Sequence, residues 1–307
     1  MLLAMTLLFM LIFGCTGAQQ GAANPASYSG PRSYMLAPAV SDIIIHVHFD
    51  KYRDNADFAS AINSFFGGGV DSNVRALGLA AGISRDQIST VTVATSGSNA
   101  SQYRLAILDG NFSSNAFLAK SMAESTETYK GVDIYHFSSG GADTAVAILG
   151  TGVALAGSQE AVRDAIDVSQ GAQGFFTSGA AGAFSLADNG SYITFGSKPS
   201  GSEGMFPQSD VFALGAGLDS SGIVHARAYA LFASESEASG AAAKIASSFA
   251  GISAALGAAG RQNTSEYALA KSFNSWQDGN YVVMTAEGTV GDFKAGAAAL
   301  GNAGISG

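Results

Sequence analysis

The sequence predicts an α+β protein of two related halves, each with antiparallel sheet and helices packed on one face. Short apolar segments of period two follow one another across tight turns, the pattern of antiparallel sheet. The phrase strand, Ser or Asp cap, helix recurs twice in each half, which marks an internal duplication. The chain of 307 residues is 47% hydrophobic, enough to fill one large core or two medium ones.

The first strand of the body is "IIIHVHFD", residues 43–50. As a strand it places Ile44, His46, His48 and Asp50 on one face and Ile43, Ile45, Val47 and Phe49 on the other. Helices are predicted over 55–66, "NADFASAINSFF", and 70–82, "VDSNVRALGLAAG". "ISTVTVAT" and "YRLAILDG" then read as a hairpin, with Ser84 and Gln87 at capping-box spacing before it. "SSNAFLAKSMA" reads as a helix, "GVDIYHF", "TAVAILG" and "VALAGS" as strands, and "QEAVRDAIDVS" as a helix capped by Ser158.

In the second half a Gly- and Ser-rich stretch, 171–190, leads to the strands "SYITFGS", "DVFALGAGLD" and "GIVHARAYALFA", the last two joined by the turn Asp219–Gly222. A long helix opens at Ser234 with Glu237 as its capping box. "TSEYALAKSFNSW" reads as a further helix, "NYVVMTAEGTV" as a strand and "FKAGAAAL" as a last helix capped by Asp292. The repeats are set at 39–174 and 175–307. "YRLAILDG" with its helix matches "IVHARAYALFA" with its own, "VALAGS" with its helix matches "NYVVMTAEGTV" with the last one, and "IIIHVHFD" matches "SYITFGS".

Ahead of the body, "MLLAMTLLFMLIFG" is an apolar run with the length of a signal-peptide core, too short to span a ~30 Å hydrocarbon layer as a helix. Ile12-Phe13-Gly14-Cys15 resembles the lipobox of prokaryotic lipoproteins: an aliphatic residue, a small one, then the cysteine that is lipidated. The resemblance implies a signal peptide over 1–14, lipid on Cys15 and an exported protein anchored to the outside of a prokaryotic membrane. The alternative is an uncleaved anchor or a buried N-terminal helix. Cys15 is the sole cysteine, so no intramolecular disulfide can form, and lipidation accounts for a lone thiol beside an exported segment. Residues 16–38, rich in Ala, Gly, Gln, Ser and Pro, read as a tether.

With 15 Lys and Arg against 24 Asp and Glu, net charge −9, the chain has no basic stripe for nucleic acid. It lacks the G-x-S-x-G and S-x-x-K hydrolase motifs, H-E-x-x-H and an EF-hand loop. Gly67-Gly68-Gly69 has no following Lys for a phosphate loop. No cofactor is called for. A metal site would have to join His136, or another ligand such as His225 or Asp50, to His46 and His48, since zinc takes three or four ligands; the alternative is an ordinary half-buried strand. N-x-S sequons at Asn99, Asn111, Asn189 and Asn263 are candidate glycosylation sites.

Tyr129-Lys130-Gly131-Val132 enters a strand, and the helix after the following strand pair carries Ala165-Ile166-Asp167. On these signs the body resembles uncharacterised exported proteins of bacteria and archaea, a resemblance that implies architecture and no activity. The sequence thus points to a lipid-anchored, non-catalytic protein of binding or structural role at the cell envelope. The partner is another envelope component or an apolar ligand. As a carrier, it would hold a lipid-like molecule in a groove lined by the aromatic-rich stretch from Gly174 to Phe195. A metal-dependent hydrolase at His46 and His48 is the third reading.

Overall fold

The computed structural model describes residues 33–57, 59–60, 83–96, 103–110, 112, 115–139, 142–150, 152–198 and 209–301. The lipobox, most of the tether, most of the helices predicted over 55–82, and the sequons at Asn99 and Asn111 lie outside them. Among the described residues, one unit comprises 33–56 and 83–181, and a second is formed chiefly by 182–301.

In the first unit, β1 (Ile43–His48) is followed by α1 (Phe49–Asp54), then β2 (Ile88–Thr95), β3 (Arg104–Gly110) and α2 (Asn115–Met122). A four-strand meander follows: β4 (Ser125–Tyr129), β5 (Val132–Ser139), β6 (Ala142–Leu149) and β7 (Val153–Gly157), closed by α3 (Gln159–Ser169). All pairings are antiparallel, in the order β1-β2-β3-β7-β6-β5-β4. The middle strands β3 and β7 are covered on both faces, which is why they read as unbroken apolar runs: Leu105, Ile107, Leu108, Ala154 and Leu155 are all buried. Helix α3 lays Ala161, Val162, Ala165 and Ile166 inward, one stripe at helical spacing. Burial of Val162 and Ile166 contributes roughly 2 kcal/mol each.

In the second unit, α4 (Ser178–Asp188) enters from the end of the first unit and leads to β8 (Ile193–Ser197), β9 (Ser209–Leu218) and β10 (Ile223–Phe232). Then come α5 (Glu235–Ala258), α6 (Ser265–Ser272), β11 (Asn274–Asp278), β12 (Tyr281–Thr289) and α7 (Val290–Gly301). The strands pair in the order β8-β9-β10-β12-β11, again antiparallel throughout. On β10 the alternation is clean, with Val224, Ala226, Ala228, Ala230 and Phe232 buried. Gly215 on β9 is required by packing: a Cβ there would collide with the carbonyl oxygen of Ala187 at the end of α4.

Several expectations need correction. Residues 33–38 are not tether: Ser33–Leu36 forms a 3-10 turn, Tyr34, Leu36 and Ala37 are buried, and Pro38 bridges Gly174. Tyr34 and Leu36 are apolar anchors set among Ser and Pro. The stretch 171–190 contains α4, whose Ala180, Ala183, Phe184 and Ala187 are buried at helical spacing despite its Gly and Ser. Helix α6 stops at Ser272, and the polar run after it pairs with β12 as β11. The strand "STETY", β4, carries too little apolar character to announce itself. Asp50 leaves the histidine face because the chain turns into α1 after His48, with Phe49 wholly buried.

The caps also differ. Ser158 occupies the N-cap position of α3, but its side chain makes no capping bond. Helix α7 is capped by Thr289, whose hydroxyl accepts from the Asp292 N–H at 3.1 Å. The Asp292 carboxylate accepts from the Thr289 N–H at 2.9 Å, so Asp292 is the returning arm of a capping box.

Candidate functional site

The antiparallel register sets His46 of β1 opposite Thr92 of β2, and His48 opposite Thr90. His46 is 3% exposed, its Nδ1 lies 2.8 Å from Thr92 Oγ1, and its ring meets those of Tyr34 and His48 edge to face with centroids 5.3 and 5.0 Å apart. His48 is half-buried. His46 and His48 are thus brought together, as period two requires. His136 is not: it stands on β5, five strand steps from β1 and so about 24 Å away at ~4.8 Å per step. Its Nε2 lies 3.7 Å from Glu127 Oε1. The pair at His46 and His48 can offer two imidazole nitrogens, and the third histidine named for that site serves elsewhere.

Within the aromatic stretch considered for a ligand groove, Phe176 and Tyr192 are half-buried while others are deeply buried. Phe175 and Phe184 are each 1% exposed, and Phe175 meets Phe176 edge to face at 4.9 Å. Of the sequons, Asn189 follows α4 and Asn263 precedes α6, both exposed.

Among the described residues of the first unit, charged side chains gather where the β4–β5 hairpin meets α3. Lys130 and Gly131 form the two-residue turn with φ of 49° and 81°, a type I′ geometry that asks for glycine at the second position. The turn aims Lys130 Nζ at Asp167 Oδ1 of α3, 2.8 Å away, and Tyr129 donates its hydroxyl to Asp167 Oδ2 at 3.2 Å. One pleat back, Glu127 accepts a bidentate pair from Arg163, Nε at 3.1 Å and Nη2 at 2.6 Å, and two longer bonds from Gln159. Arg163 also lies over the Tyr129 ring at 5.3 Å. Arg163 holds the Glu127 carboxyl below the usual carboxylate range, and Asp167 raises the Lys130 ammonium. Behind the cluster, buried Tyr103 donates to Asp164 at 2.9 Å; desolvation and that carboxylate push its phenol well up.

The two quoted motifs are therefore two ends of one contact: the turn of Tyr129-Lys130-Gly131-Val132 clamps onto the Asp of Ala165-Ile166-Asp167. Sequence reasoning noted both but missed Glu127 and Arg163. The available signal was an acidic residue inside a strand, two places before the turn, and a basic residue four before the helical Asp. Chemically the cluster pairs each carboxylate with a cation, which fixes a hairpin against a helix.

A family model described as "Protein of unknown function (DUF3352)" matches residues 104–224, a span that contains this cluster and well under half of the chain. No curated protein matches. Among solved structures, crystal form III of TP0453 aligns with a TM-score of 0.49 at 9% identity, covering 88% of this chain and 99% of that one. Crystal form IV gives 0.48 at 7%, covering 88% and 96%, and form I gives 0.44 at 8%, covering 89% and 98%. At these scores the likeness assigns no residue and no chemistry.

Proposed function

We propose that this chain is a lipid-anchored protein on the outside of a prokaryotic membrane, with an α+β body of binding or structural role built by duplication of one unit. The observation that carries the reading is the sequence around Cys15: an apolar run of signal-peptide length, a small residue, the sole cysteine, then a polar stretch before the first described residue, Ser33. A diacylated cysteine would hold the body at the membrane, since each buried methylene contributes about 0.8 kcal/mol. Duplication is supported by the shared connection order. In each unit three successive strands pair in order, helix follows, and returning strands, four in the first unit and two in the second, pair the last of them with the third, β7 with β3 and β12 with β10, before a closing helix.

The test is a Cys15→Ser variant of the full chain expressed with labelled fatty acid. The wild type takes up label and sediments with membranes. The variant loses the label and moves to the soluble fraction. Undiminished label or unchanged sedimentation in the variant sinks the reading.

A further inference from the structure

We propose that Asp219, His225 and Glu287 form a pH-set brace, which ties the β9–β10 turn to β12 while the imidazole is protonated and lets the turn go when it is not. The register sets His225 of β10 opposite Glu287 of β12 on one side and Gly217 of β9 on the other. At Gly217 the place of a side chain is taken by the Gly190 carbonyl, which a Cβ there would meet, so no side chain of β9 stands against the ring at that position, and the turn brings Asp219 back to it. His225 Nε2 lies 2.9 Å from Asp219 Oδ2 and its Nδ1 lies 3.0 Å from Glu287 Oε1.

Both ring nitrogens thus face carboxylate oxygens, which only accept when ionised. A neutral imidazole has one N–H and would meet the second carboxylate lone pair to lone pair; only the imidazolium donates to both. The second oxygen of Asp219 accepts from the backbone N–H of Ser221 at 2.8 Å and of Ile223 at 3.0 Å. Whatever holds Asp219 therefore holds the turn. Loss of the proton takes the trio from one cation and two anions, net −1, to net −2, and the two carboxylates then repel across the ring.

The surroundings add little that would cancel this. On the same side of β10, Arg227 is two residues on and exposed; its partners across the ladder are Gly215 and Thr285. On β12 the next residue of that side is Thr289, whose hydroxyl is bound to Asp292 at 2.7 Å. From α6, the Ser272 hydroxyl accepts from the Glu287 N–H at 3.0 Å. Bonding to Asp219, then to Glu287, outweighs partial desolvation and holds His225 above its ordinary value of 6.5, while His225 holds Asp219 below the carboxylate range. A raised histidine value means the brace is complete below ~6.5 and is lost as pH rises through the folded-state value.

The experiment is hydrogen exchange on the full chain at about pH 5.5 and about pH 8.5, corrected for intrinsic rates, with an NMR titration of His225 alongside. The amides of Ser221 and Ile223, referenced to the Tyr129–Val132 turn, should lose protection by about threefold or more at the higher pH, and His225 should titrate above a free histidine. In His225→Gln the relative protection should be the same at both pH values. Equal protection in the wild type, an undiminished pH effect in His225→Gln, or a His225 midpoint at or below the free value each overturns the proposal.

Discussion

His46 is a buried ring whose Nδ1 meets a hydroxyl across the ladder. Thr92 is completely buried and its hydroxyl faces Nδ1, so Thr92→Val, nearly equal in volume, removes that partner and leaves the ring in place. A cost of about 1–3 kcal/mol in urea unfolding is expected, the size of stranding a buried polar group. A loss under about 0.3 kcal/mol would mean that Thr92 does not satisfy the ring. The shared face of His46 and His48 was legible from period two alone. Thr92 was not, because the sequence of a strand says which side a residue is on and nothing about its partner in the register. Asp50 escaped for a related reason: a strand's end is decided by what Phe49 can bury, and periodicity has no term for that.

Helix ends make the same point at the next scale. Thr289 and Ser158 both stand at the start of a helix, and the sequence cannot tell them apart; only Thr289 has its hydroxyl on a backbone N–H. Thr289→Ala is expected to cost about 1 kcal/mol and Ser158→Ala well under half of that, measured by thermal unfolding of each variant. Equal losses would refute the capping assignment. α3 and β10 could be read directly from apolar spacing, and β1, β2, β3, β8 and β9 from apolar segments bounded by turns. β4 and α4 could not. β4 is stabilised by the charges it presents to α3, and α4 by small residues that pack closely, so neither has the apolar contrast that pattern reading depends on. The cluster of Glu127, Arg163, Lys130 and Asp167 was half visible, as two motifs with no stated relation; the hairpin's turn supplies the relation.

Across the whole molecule the titrating groups oppose one another in a way that can be measured. Glu127, Asp219, Glu266 and Asp292 all lie below their ordinary carboxyl values: Arg163 acts on Glu127, His225 on Asp219 and backbone bonding on Glu266. For Asp292, bonds from Ser265 and Thr289 outweigh burial. Their contribution to stability is present above the unfolded carboxyl range, about 4 to 4.5, and is lost as pH falls through the depressed folded values. His225 contributes in the opposite sense, losing its share as pH rises. The urea midpoint should therefore be highest at about pH 5 to 6.5, fall steeply toward acid and decline more gently toward alkali. A midpoint that stays flat down to about pH 3 would contradict the pairings described for these carboxylates.

Among the described residues β4 ends its strand order, with β5 as its one ladder partner. Such a border is where polymerisation starts, one copy stitching its strand to the next. Here it is five residues long, with Glu127 within it turned toward Arg163 and a clamped turn at one end. An incoming strand would find room for few bonds beside a carboxylate already spoken for. Beside the general repulsion between copies of net charge −9, that short guarded border is a local safeguard against fibre growth.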